Sequence, residues 1–148
     1  MSPLPASRRR RRLAAVPASP PLVLIADGHA DCGETLALAL ELSGWQVCAA
    51  RRGEEALVWL RQATPRAVLV DARLPEAGGL HIARVLRANP RFDATQVLLT
   101  GTWFTPHEKT QAQACGVDGI WMKPFDISAL LRRLEQPRVL RTLRQQGN

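Results

Sequence analysis

Five short apolar runs, each followed by a segment with helical spacing, constrain this chain more than any other feature. The runs cover residues 22–26, 46–49, 67–70, 96–99 and 119–122 and are rich in Val, Ile and Leu. Runs of this length are strands rather than helices, and unbroken apolarity suits strands buried on both faces. Thr35, Leu36, Ala39, Leu40 and Ser43 fall on one side of a first helix, which Gly44 stops. Ala56, Leu57, Leu60 and Ala63 mark a second before Pro65, and Leu80, Ala83, Val85 and Leu86 a third before Pro90. Pro106 suits the first turn of a fourth helix that ends near Gly116. Asp126 or Ser128 caps a fifth, running from Ile127 to Leu134. Five strands alternating with five helices, strand first, predict an α/β fold: a parallel sheet with helices on both faces.

The length of 148 residues suits one domain that buries about 70% of its unfolded surface and needs no disulfide or metal staple. No apolar run approaches the ~18 residues of a membrane span, so no membrane partner is expected. The net charge of +7 is concentrated at the ends, with five arginines from Arg8 to Arg12 and three more at Arg138, Arg141 and Arg144. All 13 acidic residues lie between Asp27 and Glu135, a stretch that is close to neutral. Nucleic-acid contact is therefore expected, if at all, only through the Arg8 to Arg12 tail. Residues 1–21 read as a disordered Arg/Pro-rich tail, 22–136 as the folded domain and 137–148 as a short basic extension. The apolar stretch after the arginines ends at Val16, too short for an export signal. Cys32, Cys48 and Cys115 are widely spaced and suit buried thiols in a reducing cytoplasm, the expected location.

Ligands of open parallel sheets bind outside the carboxyl ends of the strands. There the runs give way to Asp27, Asp71, Thr100 followed by Gly101, and Lys123 followed by Pro124. Two carboxylates suit a hard divalent cation such as Mg²⁺. An ammonium and a hydroxyl suit phosphoryl oxygens. A carboxylate among them can act as a nucleophile and form an acyl phosphate.

The strings LIADGHAD, VLVDARLPEAGGL, LLTG and WMKPF resemble the receiver domain of bacterial two-component response regulators, over a stretch from about Leu22 to Glu135. The resemblance implies a flavodoxin-like (CheY-like) three-layer sandwich with strand order 2-1-3-4-5. It implies that Asp71 is the phosphoacceptor, attacking a phosphohistidine of a sensor histidine kinase or phosphotransfer protein. Asp27, Asp71 and the backbone carbonyl of Arg73 would bind Mg²⁺. Lys123 would pair with Asp71 and then with the phosphoryl group, Thr100 would turn toward that group, and the peptide before Pro124 would be cis. The implied role is that of a single-domain response regulator in a phosphorelay, signalling to a downstream protein by a change in binding. The resemblance implies no turnover on a free substrate, so an enzyme is not expected.

Three departures from the family pattern bear on this reading. Gly28 stands where a second acid commonly contacts the metal, which weakens the expected Mg²⁺ site; Asp31 is a possible substitute from the start of helix one. Ile120 replaces the usual aromatic three residues before Lys123, and Trp121 alternates to the other face. Gly78 stands where many relatives carry an acid. The loop 101–105 is unusually aromatic, suiting either self-packing or partner binding. His29 reads as a hydrogen-bonded loop residue. The alternative function is a pseudo-receiver, a phosphorylation-independent interaction domain. A haloacid-type hydrolase is disfavoured because Asp71-Ala72-Arg73 lacks a second acid.

Overall fold

The computed structural model describes residues 19–138, so the expectations for the arginine run and for most of the basic extension fall outside the described residues. The strands are β1 (Leu22–Ala26), β2 (Gln46–Ala50), β3 (Ala67–Asp71), β4 (Gln96–Gly101) and β5 (Gly119–Met122). The helices are α1 (Ala30–Leu42), α2 (Gly53–Gln62), α3 (Gly79–Ala88), α4 (Pro106–Cys115) and α5 (Ile127–Glu135), with a 3-10 turn at Pro90–Phe92. All strand neighbours are parallel, in the order β2-β1-β3-β4-β5, as expected.

Alternation along the strands explains why both faces are apolar. Leu24 and Ala26 of β1, Val68 and Val70 of β3, and Val97 and Leu99 of β4 face one layer, with Ile82 and Leu86 of α3 and Leu60 of α2. Val23, Ile25, Leu69 and Leu98 face the other, with Leu40 of α1 and Leu130 and Leu134 of α5. Successive strand residues point to opposite faces, so a doubly covered strand must be apolar at every position.

Two expectations are corrected. β3 and β4 extend past their apolar runs through Asp71 and Gly101, so Asp71 and Thr100 lie inside their strands, whereas Asp27 and Lys123 follow β1 and β5. Among the residues of α1 whose side chains are described, Leu36 and Leu40 are the buried ones; Thr35 and Ser43 are exposed, as are Leu38 (58%) and Leu42 (80%). Apolar residues occur around most of that helix, so spacing alone does not select the buried stripe.

α4 is held differently from the other helices. Ala112 is its one buried residue, and its start is fixed by Pro106 and a reciprocal capping box between Thr105 and Glu108.

Candidate active site

The strand order sets the site. β1 connects outward to β2, and the chain then crosses back to β3 on the other side of β1. The carboxyl ends of β1 and β3 therefore lie side by side at the switch point. Ala26 pairs with Val70, and Asp71 with Thr100, so Asp27, Asp71 and Thr100 emerge at one rim. β5 adds Lys123, whose backbone N–H donates to the Gly101 carbonyl (2.8 Å), and the Lys123–Pro124 peptide is cis, as expected.

The Lys123 ammonium donates to Asp27 Oδ2 (2.6 Å) and Asp71 Oδ2 (2.7 Å), joining residues 96 and 52 positions away in the chain. The three side chains are 14%, 8% and 7% exposed, so little water screens the contacts. Burial by itself lowers the Lys123 pKa, but the hydrogen bonds and charges of Asp27 and Asp71 outweigh it and the net direction is upward. The other oxygens are also engaged. Asp71 Oδ1 accepts from the backbone N–H of Arg73 (2.7 Å), and Asp27 Oδ1 from that of His29 (2.8 Å). Thr100 is 4% exposed. It lines a cavity of about 520 Å³ with Asp27 and Lys123, whose apolar wall includes Ile25, Leu69 and Phe125.

Glycine permits the close packing behind Asp71. A Cβ on Gly79 would lie 2.5 Å from the Asp71 carbonyl oxygen and 2.7 Å from Leu99 Cδ1. Only glycine lets α3 start so near the end of β3.

The site thus brings together Asp27, Asp71, Thr100 and Lys123. Arg73 contributes its backbone to Asp71, while its side chain turns to the loop after β4. There the guanidinium lies 3.4 Å from the centre of the Trp103 ring, donates to the Trp103 carbonyl (3.0 Å) and pairs with Glu108 (3.1 Å). This clasp is invisible in the sequence, because its partners are 30 and 35 residues from Arg73. The Thr105-x-x-Glu108 capping pattern, which the reading of the sequence above did not use, is a local signal at the start of α4. The aromatic loop divides its roles: Phe104 packs on Gly101 and the core, whereas Trp103 is 54% exposed under Arg73. Ile120 and Trp121 face opposite layers, as their alternation predicts.

The donor set can hold a divalent cation, since Asp27 and Asp71 are adjacent carboxylates with lone pairs beyond those bound by Lys123. The third potential ligand beside them is His29, not Asp31. Ligand atoms of Asp27, His29 and Asp71 lie within 4.8 Å of one another. Asp31 lines the cavity but is exposed. Among the described residues, no helix is long and apolar enough to cross a membrane.

Comparison with known proteins accords with this geometry. The phosphate regulon transcriptional regulatory protein PhoB of Rhizobium meliloti (strain 1021) is 27% identical over 135 residues, covering 86% of this chain and 59% of PhoB. The chain thus spans less than two thirds of that relative. The chemotaxis response regulator CheY4 of Vibrio cholerae superposes with a TM-score of 0.73 at 26% identity, covering 79% of this chain and 98% of CheY4. The receiver domain of the sensor histidine kinase PA1611 of Pseudomonas aeruginosa PAO1, which has a magnesium ion in its active-site cleft, shares the fold at a TM-score of 0.71 and 20% identity, covering 79% and 96%. The response regulator receiver domain model matches residues 23–135. With that match spanning the sheet and all five helices, this chain belongs to the response regulator receiver domain family.

Proposed function

We infer that this protein takes a phosphoryl group onto Asp71 from a phosphohistidine of a sensor histidine kinase or phosphotransfer protein. Receiver domains of two-component systems interact with such donors. The observation that carries the reading is the Lys123 ammonium shared between Asp27 and Asp71 at one rim of the sheet. A carboxylate oxygen of Asp71 attacks phosphorus, the P–N bond to the donor imidazole breaks, and the bonding pair leaves with the imidazole nitrogen. The backbone N–H of Arg73 holds the carboxylate in place during attack. Lys123 then follows the negative charge from carboxylate to phosphoryl oxygen, and the Thr100 hydroxyl donates to another oxygen. Positioning and charge neutralisation supply the rate.

Receiver domains typically bind Mg²⁺ at an acidic site, and here Asp27, Asp71 and the Arg73 carbonyl would hold it. When bound, it neutralises charge that develops on the phosphoryl oxygens. The family is a signalling one, and no turnover on a free substrate is proposed. The output is a change in protein binding on the face formed by α4, β5 and α5, in the cytoplasm.

Titration of Trp fluorescence with Mg²⁺, with and without a small acyl phosphate donor, tests this reading. Trp103 stacks on Arg73, whose backbone holds Asp71, so the wild type should respond to the donor and Asp71→Asn should not. Equal signals in both proteins would contradict the assignment and favour a phosphorylation-independent role.

A further inference from the structure

The chain leaves β1 as Asp27-Gly28-His29, and the structure gives each residue a distinct relation to the site. Asp27 contributes a carboxylate. Gly28 contributes no donor, and a Cβ there would lie 2.9 Å from Pro75 Cδ, so a side chain enters only if the proline ring moves. His29 turns back: its N–H donates to Asp27 Oδ1, and its Nδ1 sits 3.3 Å from the same oxygen. Lys123 holds the Oδ2 atoms of both carboxylates, while their Oδ1 atoms face the His29 and Arg73 backbones. Among the described residues, Asp27, His29 and Asp71 are the one group of three whose ligand atoms gather within 4.8 Å. The His29 side chain is 74% exposed, which leaves the site open to water molecules completing a coordination shell.

We propose that His29 is the third side-chain ligand of this cation site, beside Asp27, Asp71 and the Arg73 carbonyl, taking the place of the carboxylate that Gly28 cannot supply, and that it shifts the site from Mg²⁺ toward a borderline divalent transition ion of the Co²⁺ or Zn²⁺ class. This deepens the phosphoacceptor reading and rests on it for the biological use of the site. Mg²⁺ is hard, sheds water reluctantly and favours anionic oxygen. Exchanging one carboxylate for a neutral imidazole removes charge that Mg²⁺ requires and adds a nitrogen that transition ions prefer. The exchange also limits the negative charge gathered beside Asp71, where Lys123 is the shared counter-ion.

The test uses the full chain and the ions alone, with no phosphodonor. Calorimetric titration with Co²⁺, Zn²⁺ and Mg²⁺ is run on wild type and His29→Ala, and the visible absorption of bound Co²⁺ reports loss of a nitrogen ligand. Co²⁺ and Zn²⁺ affinity should fall about tenfold or more in His29→Ala, with Mg²⁺ affinity nearly unchanged. Paramagnetic broadening by Co²⁺ in NMR spectra should strike the His29 ring before those of His81 and His107, the other two histidines. A second variant, His29→Asp, should raise Mg²⁺ affinity. Circular dichroism of both variants should match wild type, because the replaced side chain is largely in solvent. Equal Co²⁺ affinity and spectrum in wild type and His29→Ala would overturn the proposal, even if Asp71 accepts phosphate with Mg²⁺. His29-dependent Co²⁺ binding in a protein that never phosphorylates Asp71 would uphold the ligand and sink the phosphoacceptor reading instead.

Discussion

Lys123 is the residue on which the site balances. Two carboxylates this close repel each other, and the shared ammonium makes their adjacency tolerable. Lys123→Met leaves both without a partner and should cost about 2 kcal/mol at pH 7, read by urea denaturation. Because the lysine's folded pKa lies above its ordinary 10.5, its contribution is complete below that value and lost as pH rises through the higher one. The gap between wild type and variant should therefore stay constant from pH 7 to 9 and narrow only in stronger alkali. Gly28 sets a second trade-off. Gly28→Asp should tighten Mg²⁺ binding by adding a carboxylate, yet cost roughly 1–3 kcal/mol through its contact with Pro75. Mg²⁺ titration and thermal melting of the same sample measure both effects, and unchanged Mg²⁺ affinity would contradict this account of the weakened site.

At the scale of elements, α4 stands apart because so little of it is buried. Its position depends on the capping box and on the Arg73 clasp, which ties it to the loop that holds Asp71. Thr105→Ala should cost about 1 kcal/mol and Arg73→Ala should speed hydrogen exchange across α4 while leaving β3 protected. Unaltered exchange in α4 would show that the clasp carries no load. The elements also show what the chain made legible. The strands could be read because burial on both faces forces continuous apolarity, and Asp27, Asp71 and Lys123 because each interrupts or ends such a run. The buried stripe of α1 could not, since Leu38 and Leu42 are as apolar as Leu36 and Leu40 yet face solvent. The stacking of Arg73 on Trp103 and the approach of His29 to the carboxylates were equally hidden, because loop conformation, not periodicity, creates them.

Across the whole molecule, the two ends of the sheet do different work. Polar groups at the carboxyl end converge on the proposed phosphoacceptor site, whereas those near the amino end tie the fold together. Arg87, 15% exposed in its side chain, donates to the carbonyls of Gly116, Phe92 and Thr95 and pairs with Asp118 at 2.8 Å. Burial pulls the pKa of this guanidinium down, with Asp118 opposing the shift. Arg87→Met strands those acceptors and should cost about 3 kcal/mol in chemical denaturation. It should leave phosphoryl transfer intact wherever the variant is folded; a specific loss of transfer would contradict the division between the two ends. The account depends most on Asp71 being the nucleophile that the sheet order brings beside Asp27 and Lys123. Intact-protein mass spectrometry after incubation with Mg²⁺ and an acyl phosphate donor tests it most directly. The wild type should gain about 80 Da as a single acid-stable, base-labile phosphoryl group, and Asp71→Asn should gain none. An equal gain in the Asn variant, or none in the folded wild type at saturating Mg²⁺, would contradict it.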